Sequence, residues 1–195
     1  MKKRILFIIL LIVFVLSFFL DNYMAINITK IRNLTLTQTM LFISLLGNTI
    51  SSFIVSLLLL IYFIYAKKDK RYIPSLFLSL IISVILVNLL KQLVQRPRPS
   101  EILDIIALEE KNNFSFPSGH TNAVFTLFPF IEIHFKKFKI IWLSFSILVA
   151  FSRIYLGVHY LSDVVFSVIL GLSISYLFIY IERKYRISNL FFKKQ

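Results

Sequence analysis

Long apolar runs separated by short charged clusters dominate the chain, and the runs have the length of a bilayer crossing. The first spans about Ile5 to Leu20, the second Met40 to Ala66, the third Pro74 to Leu93 and the fourth Pro117 to Phe135. The fifth spans Ile140 to Leu156 and the sixth Val158 to Ile181. The pattern predicts an all-α, six-transmembrane-helix bundle, with the first and fifth spans short. The mixed stretch Asp21–Thr39 predicts a short amphipathic helix in the membrane interface. Lys2, Lys3 and Arg4 ahead of the first run also fit a secretory signal peptide. However, Ser17-Phe18-Phe19-Leu20-Asp21 is too bulky for a cleavage site, so an uncleaved span is expected. No internal repeat or linker interrupts residues 1–195, which read as a single membrane domain.

Composition agrees with the pattern. Of 195 residues, 58% are hydrophobic and the mean hydropathy is +0.83, above the usual range for a soluble domain. Cysteine is absent, which excludes disulfide and thiol chemistry. A net charge of +13 would suit nucleic acid, but the basic residues lie in clusters between apolar runs, where they act as topology determinants and lipid head-group contacts. Fifteen of the 22 Lys and Arg residues fall on one set of alternate connections. They comprise Lys2, Lys3 and Arg4, then Lys67 to Arg71, then Lys136, Lys137 and Lys139, and the tail from Arg183 to Lys194. The positive-inside bias therefore predicts cytoplasmic termini and places the connections after the first, third and fifth spans outside.

Three polar clusters fall on that outer side, where ionisable groups at helix ends carry a functional reading. In the first, Lys91 and Arg98 are seven apart, so two helical turns would align them as an anion clamp; Pro97 and Pro99 end the helix. Interfacial snorkelling explains such basic residues equally well. In the second, Pro117-Ser118-Gly119-His120 opens the fourth helix. A helix start supplies free N–H groups for phosphate, Gly119 permits close approach, and His120 is placed to donate a proton. A plain helix cap would look the same. In the third, Ser152-Arg153 precedes His159 and Asp163, four residues apart at the start of the sixth helix. A carboxylate on one ring nitrogen readies the other as a nucleophile, and Arg153 adds a cation. The bland alternative is a structural His–Asp pair. Together the clusters form the inventory of phosphoryl transfer through a phosphohistidine.

The pattern Lys91-x6-Arg98-Pro99, Pro117-Ser118-Gly119-His120, Ser152-Arg153-x5-His159-x3-Asp163 resembles the tripartite motif of the type 2 phosphatidic acid phosphatase family, which also includes the vanadium haloperoxidases. It covers residues 91–163 without departure. The resemblance implies a membrane enzyme that hydrolyses a lipid phosphate or diphosphate, such as undecaprenyl diphosphate, phosphatidylglycerophosphate or phosphatidic acid. It implies His159 as nucleophile oriented by Asp163, and His120 as acid and then base. Lys91, Arg98, Ser118, Gly119 and Arg153 would hold the phosphoryl oxygens, with no metal or other cofactor. Partners are then the lipid substrate and the bilayer, not nucleic acid. A phosphotransferase passing the same phosphohistidine to a non-water acceptor is the main alternative. A channel would spread its polar residues through the membrane depth.

The remaining polar residues receive structural readings. Arg96 is off the motif's register and expected only to assist electrostatically. His134 and Glu132 sit at the wrong end of the fourth helix. Glu101, Asp104, Glu109 and Glu110 form an acidic loop over the site, read as solvated or as selecting against strongly anionic head groups. Trp142, Tyr155 and Tyr160 fit aromatic belts.

Overall fold

The computed structural model describes residues 2–66, 70–109 and 113–191, with residues 2–4 and 6 described by backbone alone. The expectations on Lys67, Lys68, Glu110, Lys111 and Lys194 lie outside the described residues. Among the described residues there is no strand; the helices are α1 (Lys2–Lys30), α2 (Leu34–Leu46), α3 (Thr49–Tyr65), α4 (Ile73–Val94), α5 (Pro99–Ile102), α6 (Gly119–His134), α7 (Lys139–Tyr155) and α8 (Leu161–Tyr185). Four segments are long and apolar enough to cross a bilayer, lying in α1, in α4 with α5, in α7 and in α8. The α2–α3 pair, bent by 54°, makes a fifth if it crosses as one broken span.

Three boundaries differ from the sequence reading. The first helix runs nine residues beyond Asp21 to Lys30, so Asp21 lies within a transmembrane-length helix and not in a separate interfacial one. The second apolar run is two helices. Gly47 ends α2, and Asn48 starts α3 by accepting a hydrogen bond from the Ser51 amide at 2.7 Å; these caps override the continuous apolar pattern. α4 stops at Val94 with Gln95 in the left-handed conformation (φ 48°), before Arg98.

α6 and α8 form the centre of the bundle, flanked by α1, α4 and α7. Their contact is built on small residues, as packing between helices in lipid requires. A Cβ on Gly171 would lie 2.7 Å from the Asn122 carbonyl oxygen and 3.0 Å from the Thr126 amide nitrogen, so only glycine admits this approach. Ser175 donates to the Thr126 carbonyl at 2.6 Å, and Ser83 of α4 donates to the Asn122 side chain. Leu76, Leu80, Leu127, Phe130 and Ile179 fill the space between α4, α6 and α8, while Val124, Val149, Ile154, Val164 and Leu172 join α6, α7 and α8.

Candidate active site

The C-terminal ends of α4 and α7 and the N-terminal ends of α6 and α8 meet at one end of the bundle, around a cavity of about 200 Å³. Lys91, Arg98, Gly119, His120, Arg153 and His159 line it, together with Thr49, Ser83, Asn88 and Asn122. Six of the eight residues expected at a phosphate site thus share one cavity, although 68 residues separate Lys91 from His159. The other two, Ser118 and Asp163, are fully buried behind it.

The local geometry modifies several expectations. Lys91 and Arg98 do not share a helix face, because α4 ends between them and Arg98 sits in extended backbone at the start of α5. They converge because both bind the segment leading into α6. Lys91 Nζ donates to the Phe114 carbonyl; Arg98 Nε donates to the Asn113 carbonyl at 2.8 Å, and its other nitrogens reach Asn113 Oδ1 and the Val158 carbonyl. α6 begins at Gly119 with Ser118 as N-cap, two residues after Pro117. The Ser118 amide donates to Ser167 Oγ at 2.8 Å and its hydroxyl pairs with Thr121, so Ser118 fixes the helix start and the cavity-facing role falls to Gly119 and His120. First-turn N–H groups there have no acceptor within the helix.

His159 precedes α8, whose N-cap is Tyr160. Its Nδ1 lies 3.5 Å from Asp163 Oδ2, beyond hydrogen-bond length, and has no hydrogen-bond partner. The dyad is therefore adjacent but open. Burial, then the Arg153, Arg98 and Lys91 cations, hold the His159 pKa well below its usual 6.5, which keeps the ring neutral. Arg153 is fully buried; its Nη atoms meet Glu109 at 2.8 and 3.1 Å and Ser44 Oγ, leaving its buried Nε without a partner. One carboxylate of the acidic loop thus reaches into the site instead of remaining solvated.

Sequence reasoning undervalued Arg96 and passed over Asp21. Arg96 Nη1 meets Asp163 Oδ1 at 2.6 Å and Ser162 Oγ at 2.7 Å, and its Nη2 meets Asp21 Oδ2 at 2.7 Å. The guanidinium also lies 4.0 Å from the centre of the Tyr160 ring. The available signal was an isolated acid in an otherwise apolar helix. The aromatic-belt reading fails for the buried Tyr155 and Tyr160. Trp142 donates to the Val124 carbonyl at 3.0 Å, Tyr155 is fully buried with its hydroxyl 3.0 Å from Thr37 Oγ1, and Tyr160 is buried under Arg96. His134 packs against Phe63 and Tyr72, remote from the cavity, and Glu132 lies 4.0 Å from Lys139.

Known proteins resemble this chain in sequence and fold. The family model described as PAP2 superfamily matches residues 72–187. The undecaprenyl-diphosphatase of Sulfolobus acidocaldarius is 30% identical over 86% of this chain and 80% of its own length. Phosphatidylglycerophosphatase B of Bacillus subtilis is 32% identical over 75% of each. Among solved structures, the first transmembrane PAP2 type phosphatidylglycerolphosphate phosphatase from Bacillus subtilis superposes with a TM-score of 0.73 at 27% identity, covering 92% of this chain and 96% of that one. LpxE of Aquifex aeolicus superposes at 0.74 with 26% identity, covering 83% and 95%.

Proposed function

The chain belongs to the PAP2 superfamily and is a multi-pass membrane lipid phosphatase, and we propose that it works without a metal, through a phosphohistidine at His159. The observation that carries this reading is the meeting of Lys91, Arg98, His120, Arg153 and His159 on one cavity with Asp163 behind His159. Asp163 faces Nδ1, so Nε2 is the nitrogen left to attack phosphorus. As the new N–P bond forms, the ester or anhydride P–O bond breaks, and His120 protonates the departing oxygen. His120 then takes a proton from water, which attacks phosphorus, breaks the N–P bond and releases inorganic phosphate. Lys91, Arg98, the Arg153 Nε–H and the α6 N-terminus counter the charge on the transferring oxygens, the main source of rate in phosphoryl transfer.

The proposed substrates are those of the relatives: a polyprenyl diphosphate of the undecaprenyl type, or phosphatidylglycerophosphate. The proposed topology has six crossings, with the α2–α3 pair and the 16-residue α6 each counted once, cytoplasmic termini and an outward-facing site. An outward site favours the polyprenyl diphosphate, which is released on that side. The test is phosphate release by the purified protein in detergent with EDTA, offered undecaprenyl diphosphate, phosphatidylglycerophosphate and phosphatidic acid. Release that survives EDTA and disappears in His159→Ala is expected. Activity that depends on added metal, or that persists in the variant, would reject the mechanism. Consumption of lipid without free phosphate would identify a transferase.

A further inference from the structure

We propose that Asp21 and Arg96 are positioning residues that hold the Asp163 carboxylate in register with His159, so that α1 forms part of the catalytic apparatus. This rests on the phosphohistidine reading and extends it to residues outside the tripartite motif. The two oxygens of Asp163 are divided between two tasks. Oδ2 faces His159 Nδ1 at 3.5 Å while accepting from the Tyr160 amide at 2.9 Å and from Ser115 Oγ. Oδ1 is gripped by Arg96 at 2.6 Å. A carboxylate pinned through Oδ1 cannot swing Oδ2 away from the imidazole.

Arg96 is itself held. Asp21 takes its second nitrogen at 2.7 Å, and its guanidinium carbon lies over the Tyr160 ring, 4.0 Å from the centre. Asp21 also accepts from the Ser162 amide at 2.8 Å and the Ser162 hydroxyl at 2.6 Å, which caps the first turn of α8, the turn that carries Asp163. Asp21 is 3% exposed. An ionised carboxylate buried in an apolar helix is costly, and every partner that compensates it here also touches Asp163 or its turn. Arg96 separates two carboxylates that would otherwise repel, so loss of Asp21 leaves Arg96 free to re-seat on Asp163 and turn it. A brace joining α1 to α8 would not require its contacts to converge on the residue beside the nucleophile.

The experiment measures kcat, KM and melting temperature of the full chain in detergent, on whichever of undecaprenyl diphosphate and phosphatidylglycerophosphate turns over faster. Asp21→Asn is expected to lower kcat about tenfold or more, in line with other residues that orient a catalytic group from behind, with KM within about twofold and melting little changed. Arg96→Lys should retain more kcat than Arg96→Ala. In an Asp163→Asn background, Asp21→Asn should cause no further loss, because it acts through Asp163. Full kcat in Asp21→Asn, or an equal additional loss in the Asp163→Asn background, would overturn the proposal. If Asp21→Asn does not fold, the Arg96 series decides the matter: equal kcat in the Lys and Ala variants would overturn the proposal. His159→Ala runs alongside, and full activity there would reject the phosphohistidine reading itself, separately from any result on Asp21.

Discussion

Every cation at the cavity is already engaged by oxygen. Lys91 and Arg98 hold carbonyls of the segment before α6, and Arg153 holds Glu109. On the proposed mechanism an arriving phosphoryl group shares or displaces these contacts, and it meets a neutral His159. The active form of a nucleophilic imidazole is unprotonated, so activity is lost only as pH falls through its pKa. Because that pKa lies well below 6.5, the limb of log(kcat/KM) due to His159 should fall below pH 6.5, leaving the nucleophile ready across the physiological range. Replacing Lys91 by Met removes one of the depressing cations and should move that limb to higher pH in whatever activity survives. A wild-type acid limb centred at or above 6.5 would contradict the assignment. Lys91, Arg98, His120, Arg153 and His159 were legible in the sequence because three polar clusters, each ambiguous alone, fall on one side of the spans and together match a tripartite spacing. Asp21 and Glu109 were not, because what defines them is a partner more than forty residues away.

At the scale of elements, the apolar runs announced α4, α6, α7 and α8 within a few residues. They misled where polar caps compete with hydropathy: Gly47 and Asn48 carry ordinary stop and start signals that the surrounding leucines and isoleucines obscured. They also could not reveal which helices touch. The close approach of α6 and α8 at Gly171 is such a contact, and it sets the distance between the helix that begins beside His120 and the one that carries Asp163. Gly171→Leu should cost about 1–3 kcal/mol by overpacking and lower the melting temperature in detergent, with activity falling as the helices separate. Ser175→Ala at the same interface should cost less, about 0.6 kcal/mol. A Gly171→Leu protein that melts like the wild type would show that the two helices are not confined at this point.

At the scale of the molecule, the charge asymmetry proposes an orientation with the termini inside and the cavity outside. With no native cysteine, single replacements report without background. Asp104→Cys, in the exposed loop near the cavity, should react with a membrane-impermeant maleimide on intact cells. Lys70→Cys and Asn189→Cys should react only after permeabilisation. Labelling of Asn189→Cys on intact cells would mean an even number of crossings between the loop and the tail and would refute the six-span arrangement. The hydrogen bonds from Ser162 to Asp21 span 141 residues and join the first helix to the last. Ribosomes and the insertion machinery deliver α1 long before α8, so a nascent chain that still lacks α8 has every cation of the cavity and no completed dyad. On the proposed mechanism turnover then awaits the docking of α8 against α1, because the Asp163 carboxylate and its Asp21–Arg96 anchor come together only in that contact.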